Sequence, residues 1–173
     1  MLSPDKRMVL IPDRAVCPSS SSDLSDLSGL VDYIAAVASQ EIARFLTEDN
    51  RLDNLRMCMP TGFFVIEAAL DILSDDLPQA VSRMFTCGKL LQKNIVRGAL
   101  TNGHDWVFVH IELDDDWDGA SYKWSPVVRL NVTESLDRVL EIRQPWPDLI
   151  AAILSHWVEN GFSDLGSDDW YVA

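Results

Sequence analysis

An acidic run past the middle of the chain has the spacing of a cation-binding loop. Asp114, Asp116, Asp118 and Gly119 match the first half of a calcium loop, D-x-D-x-D-G. Carboxylate oxygens are the ligands that Ca²⁺ prefers in proteins. The twelfth position, where such a loop needs a bidentate Glu, holds Ser125, and the flanking residues are typical of strands rather than helices. The sequence therefore predicts a solvated acidic loop here and leaves calcium binding as an alternative.

A second candidate is Glu67, which is the one acid in the apolar run Phe63–Leu70. A carboxylate buried in such a run has to be paired with a cation, coordinated to a metal or protonated. Two roles follow for Glu67: an ion pair with Arg97 or another basic residue on a neighbouring strand, or a metal ligand. We favour the ion pair, because the rest of a metal constellation is incomplete in the sequence.

Other catalytic signatures are missing from the sequence. The three histidines, His104, His110 and His156, do not have the spacing of a metal site. There is no Ser/His/Asp or Cys/His signature, no G-x-S-x-G motif and no phosphate-binding loop. Catalysis in this chain would therefore have to involve Glu67.

Two elements at the centre of the chain are the most strongly specified. Apolar residues recur at helical spacing through Asp76–Asn94, which predicts an amphipathic helix with Pro78 in its first turn. The β-rich runs Ile95–Thr101 and His104–Leu113 follow, separated by Asn102-Gly103. Asn-Gly between two such runs predicts a hairpin turn in which both residues have positive φ.

The flanking sequence predicts further helices and strands around this centre. Phe63–Leu70 is a near-continuous apolar run, typical of a strand buried on both faces, and we expect it beside Ile95–Thr101. Periodicity predicts helices over 23–48, 133–142 and 148–160, a strand over 122–132, a short strand over 55–60 and an edge strand over 8–11.

This order of elements predicts an α/β (α+β) domain with a mixed central β-sheet flanked by helices. The 173 residues suit one domain, which we place at 23–162. Residues 1–22 contain three prolines and a Ser run, so they are expected to form a flexible N-terminal segment. Residues 163–173 form an acidic tail.

The sequence resembles the PD-(D/E)XK nuclease-like, or restriction-endonuclease-like, fold. The likeness lies in Leu77-Pro-Gln-Ala-Val81, then Arg97-Gly-Ala-Leu-Thr-Asn-Gly103 and Trp106-Val-Phe108. The same pattern is similar to a group of uncharacterised proteins from mushroom-forming fungi. The resemblance covers about 66–130, and it implies a nuclease-like core with a C-terminal helical addition.

The resemblance also implies a metal site with named positions. Nucleases of this fold hold Mg²⁺ with carboxylates from neighbouring strands and place a lysine two residues after the second acid. Glu67 matches the second acid, Asp53 is the nearest upstream candidate for the first, and Gln79 matches a helix glutamine found in some branches. Ala69 stands where the lysine belongs. Arg83 or Lys89 could supply the missing charge from the helix.

Composition narrows the classes of partner. The net charge of −13 opposes binding to nucleic acid or to an anionic membrane. No apolar run approaches the roughly 20 residues of a membrane span. Three scattered cysteines, Cys17, Cys58 and Cys87, favour a reducing intracellular compartment, the cytoplasm or nucleus.

The combined prediction is a catalytically degenerate nuclease-fold protein that binds a macromolecular partner, most simply a protein, without a cofactor. Aromatic residues in loops and near chain ends suit such a surface, although they also suit the cover of core edges: Trp117, Trp124, Trp146, Trp170 and Tyr171. One alternative is a Mg²⁺-dependent nuclease with a rearranged site, and another is a small acidic effector or regulator. The oligomeric state stays open.

Overall fold

The fold is built on a mixed β-sheet with helices on both faces, which confirms the predicted fold class. The computed structural model describes residues 5–12, 32–48, 52–58, 60–69, 73–130, 132–134, 140–142 and 144–163. The predictions for most of 1–22, for 23–31 and for the tail from 164 fall outside the described residues.

Six strands form the main path of the sheet in chain order, and a short seventh strand pairs with the fifth. The strands are β1 (Lys6–Pro12), β2 (Tyr33–Ser39), β3 (Gly62–Ala68), β4 (Ile95–Thr101), β5 (Asp105–Leu113), β6 (Ala120–Trp124) and β7 (Val128–Arg129). β3 and β4 are parallel, and the other neighbouring pairs are antiparallel. The expected adjacency of the Phe63–Leu70 strand and the Ile95–Thr101 strand is therefore confirmed.

In the described part of the chain, four helices cover the sheet: α1 (Gln40–Glu48), α2 (Leu52–Cys58), α3 (Leu73–Leu91) and α4 (Trp146–Glu159). Buried side chains of α1, α2 and α3 pack on one face of the sheet, together with Phe63, Val65 and Leu100. Trp157, Ile150 and Val158 of α4 pack on the opposite face, against Phe64 and Phe108. Since side chains alternate along a strand, the sheet separates these two cores.

The central helix begins earlier than its sequence suggests. α3 starts at Leu73, so Pro78 lies in its second turn instead of its first. There the proline cannot donate a hydrogen bond to the carbonyl of Ser74, which a helix-interior residue would do. The packing of Ala80, Met84 and Cys87 against the sheet stabilises the helix across this gap.

The hairpin between β4 and β5 is where the sequence placed it, but its turn differs from the expected one. Gly103 has φ +89, whereas Asn102 is not among the described non-glycine residues with positive φ. Instead, the Asn102 side-chain oxygen accepts hydrogen bonds from the backbone N–H groups of His104 (3.0 Å) and Asp105 (2.8 Å). The register Thr101↔Trp106 makes Gly103 and His104 the two central residues of the turn, so Asn102 precedes them and does not need a positive φ.

Three sequence predictions are wrong. Residues 33–39 form β2 instead of the middle of a helix, and α1 begins only at Gln40. A short apolar run such as Ile34–Ala38 has no periodicity that separates strand from helix, and pairing with both neighbours decides it. The predicted strand over 55–60 is the helix α2 up to Cys58, because packing of Leu55 against the core overrides the weak local strand signal.

The third error concerns the predicted helix over 133–142. Two short antiparallel strands, β8 (Val132–Glu134) and β9 (Leu140–Ile142), occupy its described ends. β-Branched residues at 132, 133 and 142 suit this ladder, and the pairing prevails over a three- and four-residue spacing of apolar residues.

Both ends of the chain contribute to the fold. Lys6–Pro12, part of the segment predicted to be flexible, is the edge strand β1, as the Met8–Ile11 pattern allowed. At the other end α4 fits the predicted helix over 148–160 and starts two residues earlier, with Pro147 in its first turn. The end of α4 lies so close to β3 that a Cβ at Gly62 would overlap the carbonyl oxygen of Val158.

Candidate functional site

Glu67 lies near the end of β3, between β2 and β4, and points to the face that α3 covers. Its side chain follows Phe63 and Val65 on this face, as the alternation of a strand requires. Only 3% of the Glu67 side chain is exposed. The carboxylate is therefore held inside the main core and not at an open surface.

Arg83 of α3 is the cation that meets this carboxylate. Its Nη1 donates a hydrogen bond to Glu67 Oε2, and the Arg83 side chain is 19% exposed. Met84 and Cys87, on the same helix, pack into the surrounding core. Burial raises the pKa of the Cys87 thiol to about 12, and the negative charge of Glu67 adds to this rise. The ion pair thus lies within an apolar layer, where charges require each other.

Arg97, the partner first considered for Glu67, lies on the other face of the sheet. Its side chain is fully buried and its Nη1 donates to the carbonyl oxygens of Asn160 (3.2 Å) and Gly161 (3.4 Å). The guanidinium carbon also lies 5.8 Å from the ring centroid of Trp157. Arg97 therefore holds the C-terminal end of α4, where carbonyl groups and the helix dipole favour a cation, while Arg83 pairs with Glu67.

The other positions implied by the nuclease resemblance are dispersed. Gln79 is exposed on α3, and Ala69 is buried and donates its backbone N–H to Thr101 O (2.8 Å). Asp53 lies in α2, and its side chain is outside the described residues. Lys89 lies 3.6 Å from Asp118. Among the side chains that the structure describes, no group of three or more His, Cys, Asp or Glu residues is placed to hold a metal ion.

The acidic loop between β5 and β6 is attached to the end of α3. Asp115 accepts a hydrogen bond from Asn94 Nδ2 (3.2 Å), and Asp118 forms the ion pair with Lys89. Within the loop, the Asp114 N–H donates to Gly119 O (2.9 Å) and Trp117 has φ +64. Two of the loop carboxylates are thus engaged by neighbouring side chains and shape the turn.

The loop aromatics mostly cover core edges instead of forming a binding surface. Trp117 and Trp124 are partly buried against the core on the α3 side, and Trp146 packs against the core on the α4 side. Trp170 and Tyr171 lie outside the described residues. Of the two uses that the sequence left open, packing therefore accounts for the described members.

The described residues also form an open site that the sequence analysis did not identify. An apolar groove of about 300 Å³ runs between α4 and the β1 edge of the sheet. Its floor comes from three strands and its wall from one side of α4: Met8, Leu10, Ala35, Phe64, Ile66, Ala151, Leu154, Ser155, Val158 and Glu159. Met8 and Leu10 are 59% and 56% exposed, although both are large apolar residues. We call this surface the α4–β1 groove.

The apolar residues of β1 divide between the two faces of the sheet. Val9 and Ile11 pack against the core on the α3 side, while Met8 and Leu10 point to the opposite face. β1 is the terminal strand, and among the described residues no strand pairs with its outer edge. Charged residues and a proline flank its apolar run, as is common in an edge strand, but Met8 and Leu10 between them stay exposed.

Comparison with known proteins gives no match of any kind. No protein-family model matches the chain, and no curated protein or solved structure matches it either. In the described part of the chain, no helix has both the length and the apolar character needed to cross a membrane. Function is therefore inferred from the geometry of the chain itself.

Proposed function

We propose that this protein is a nuclease-like scaffold without catalytic chemistry that acts as a binding module for a protein partner. The α4–β1 groove is the observation that carries the proposal. Large apolar side chains that stay in water cost free energy, about 25 cal/mol for each Å² that a partner could cover. A partner that binds in this open groove and covers Met8 and Leu10 would recover that free energy.

The surroundings of Glu67 support the loss of catalysis. A metal-binding carboxylate has to face a site that substrate and water can reach, whereas Glu67 is buried and paired with Arg83. Ala69 cannot replace the lysine that stabilises charge near the attacking water. A net charge of −13 adds electrostatic repulsion against a polyanionic substrate.

The proposal includes an intracellular location. Cys58 and Cys87 are both free thiols, and Cys87 is buried in the core. Free thiols persist most readily in a reducing compartment.

A peptide selection tests the binding function directly. A phage-displayed peptide library is selected on the wild-type protein, and recovered peptides are measured against Leu10→Asp and against Val127→Asp. Val127 is a matched control, because it is also a large apolar residue with a similarly exposed side chain, at 52%, but lies between β6 and β7. The proposal expects peptides that lose at least about tenfold in affinity with Leu10→Asp and little with Val127→Asp. Recovery of no binders, or of binders indifferent to Leu10→Asp, would refute it.

A cleavage assay tests the catalytic half of the proposal. Wild type and Glu67→Gln are incubated with single- and double-stranded DNA and RNA in the presence of Mg²⁺ or Mn²⁺. We expect no metal-dependent cleavage by either protein. Metal-dependent cutting by wild type that disappears in Glu67→Gln would replace the binding module with a nuclease that has a rearranged site.

A further inference from the structure

The wall of the α4–β1 groove is a ridge along one side of α4. Ala151, Leu154, Ser155 and Val158 recur along α4 at i, i+3, i+4 and i+7, so they share one side of the helix. This side faces β1; its last member, Val158, is buried and packs into the core with Ile150 and Trp157, and Leu154 packs partly against the same core. Ala151 and Ser155 are small and exposed, and small residues one turn apart let a second helix approach closely.

The floor of the groove is the part of the sheet that α4 leaves uncovered. α4 packs chiefly over β3, with further contacts to β2 and β7, and β1 lies two strands away from β3. Strands are spaced about 4.8 Å apart, while packed helices are about 8–10 Å apart. The next helix position on this face therefore falls over β1, above Met8 and Leu10.

We propose that the α4–β1 groove binds an amphipathic helix of the protein partner, with a basic polar face, lying beside α4 and over β1. This inference rests on the proposed function and names the partner's chemistry. A helix presents anchors at i, i+3 or i+4, and i+7, which match the ridge on α4. An extended strand added to the edge of β1 would instead direct alternate side chains to the opposite face of the sheet, away from that ridge.

The charges around the groove indicate the sign of charge on the partner's polar face. Glu159 is the one charged residue among the described residues that line it, and the exposed Asp148 lies at the other end of α4. Lys6 continues the row of Met8 and Leu10 on β1, but the chain as a whole carries −13. Lys and Arg on the partner would therefore be attracted to the rim while apolar residues fill the groove.

Three designed peptides test the inference. One is an amphipathic helix of Leu and Lys, one has the same Leu face with Glu in place of Lys, and one is a scrambled Leu–Lys peptide of identical composition. Each is labelled, and its affinity is measured by fluorescence anisotropy for wild type, Leu10→Asp and Val127→Asp. Both variants add the same negative charge, so general attraction of a basic peptide cannot explain a difference between them. Matching urea midpoints for the two variants confirm that both are folded.

We expect the Leu–Lys helix to bind wild type and Val127→Asp alike, and to bind Leu10→Asp at least about tenfold more weakly. The Leu–Glu and scrambled peptides should bind wild type at least about tenfold more weakly than the Leu–Lys helix. Equal binding of all three peptides, or equal binding of the Leu–Lys helix to Leu10→Asp, would overturn the inference. A wild-type dimer in sedimentation that Leu10→Asp converts to a monomer would also overturn it, because the occupant would then be a second copy of the chain.

The outcomes separate this inference from the proposed function. If library-selected peptides bind at the groove in an extended form while the Leu–Lys helix does not, the helix inference fails and the binding function stands. If neither the library nor the designed peptides yield a ligand sensitive to Leu10→Asp, both fail.

Discussion

Removal of the Glu67 carboxylate should strand a buried cation. In Glu67→Ala the Arg83 guanidinium loses the carboxylate that accepts its hydrogen bond, while its side chain stays mostly enclosed, at 19% exposure. Breaking a buried ion pair by removing one partner costs about 3–5 kcal/mol. Because water reaches part of Arg83, we expect the lower end, about 3 kcal/mol, lost from the free energy of unfolding.

Urea unfolding followed by tryptophan fluorescence measures this loss. Glu112→Ala is the matched control: Glu112 is also an acid on a strand of the same sheet, but it is exposed. That variant should stay within about 0.5 kcal/mol of wild type. If Glu67→Ala is too unstable to fold, Glu67→Gln keeps the side-chain shape and removes the charge alone.

A double variant distinguishes a structural Glu67–Arg83 ion pair from a relic of a metal site. Glu67→Met with Arg83→Met replaces both charges by apolar groups, which is often neutral or stabilising in a core. It should therefore recover most of the stability that Glu67→Ala loses. A Glu67→Ala protein as stable as wild type, or more stable, would refute the reasoning, because a relic of a metal site among like charges gains when its acid is removed.

Three further predictions concern the turn, an ion pair and a thiol. Gly103 has φ +89 and open space around a built Cβ, so Gly103→Val should cost about 1 kcal/mol through backbone strain alone, and an unchanged urea midpoint would contradict this. Hydrogen bonds from Arg129 at 2.7 Å lower the pKa of Asp105 below its usual 3.8. The stability that this ion pair contributes is therefore present above about pH 4 and is lost as the pH falls through the lowered pKa. In thermal unfolding measured as a function of pH, Asp105→Asn should lose less stability than wild type over that acid range. Parallel curves for the two proteins would exclude the ion pair as a cause of the acid-induced loss of stability. With a pKa of about 12, only about 10⁻⁴ of Cys87 is in the thiolate form at pH 8. Mass mapping after brief alkylation should therefore find Cys58 modified and Cys87 unmodified until urea is added. Rapid labelling of Cys87 in the native protein would be inconsistent with its burial.

The sequence by itself determined the elements whose signals are local. The apolar spacing of α3 and α4 and the Asn-Gly pair between β4 and β5 each carry their own evidence. All three elements are present, although α3 starts earlier than expected and only Gly103 of the turn has the expected positive φ. Where the signal was short, the assignment failed: β2 and α2 depend on what lies beside them and not on their own periodicity.

The partner of Glu67 was decided only by the tertiary structure. The residue type predicted that a buried acid would need a cation, and both Arg83 and Arg97 were available. The register of β3 and β4 places Glu67 on the α3 face and Arg97 on the α4 face, so the sheet itself separates them. A shift of one residue in either strand would have placed both side chains on the same face, and near-continuous apolar runs such as these lack the period-2 pattern that fixes a register.

The α4–β1 groove also exists only in the tertiary structure. Met8 and Leu10 look like ordinary core residues in the sequence, and nothing local distinguishes them from Val9 and Ile11. They are exposed because β1 ends the sheet and α4 covers only the strands further in. Apolar patterning determines which side chains share a face, but whether that face is covered depends on where a distant element packs.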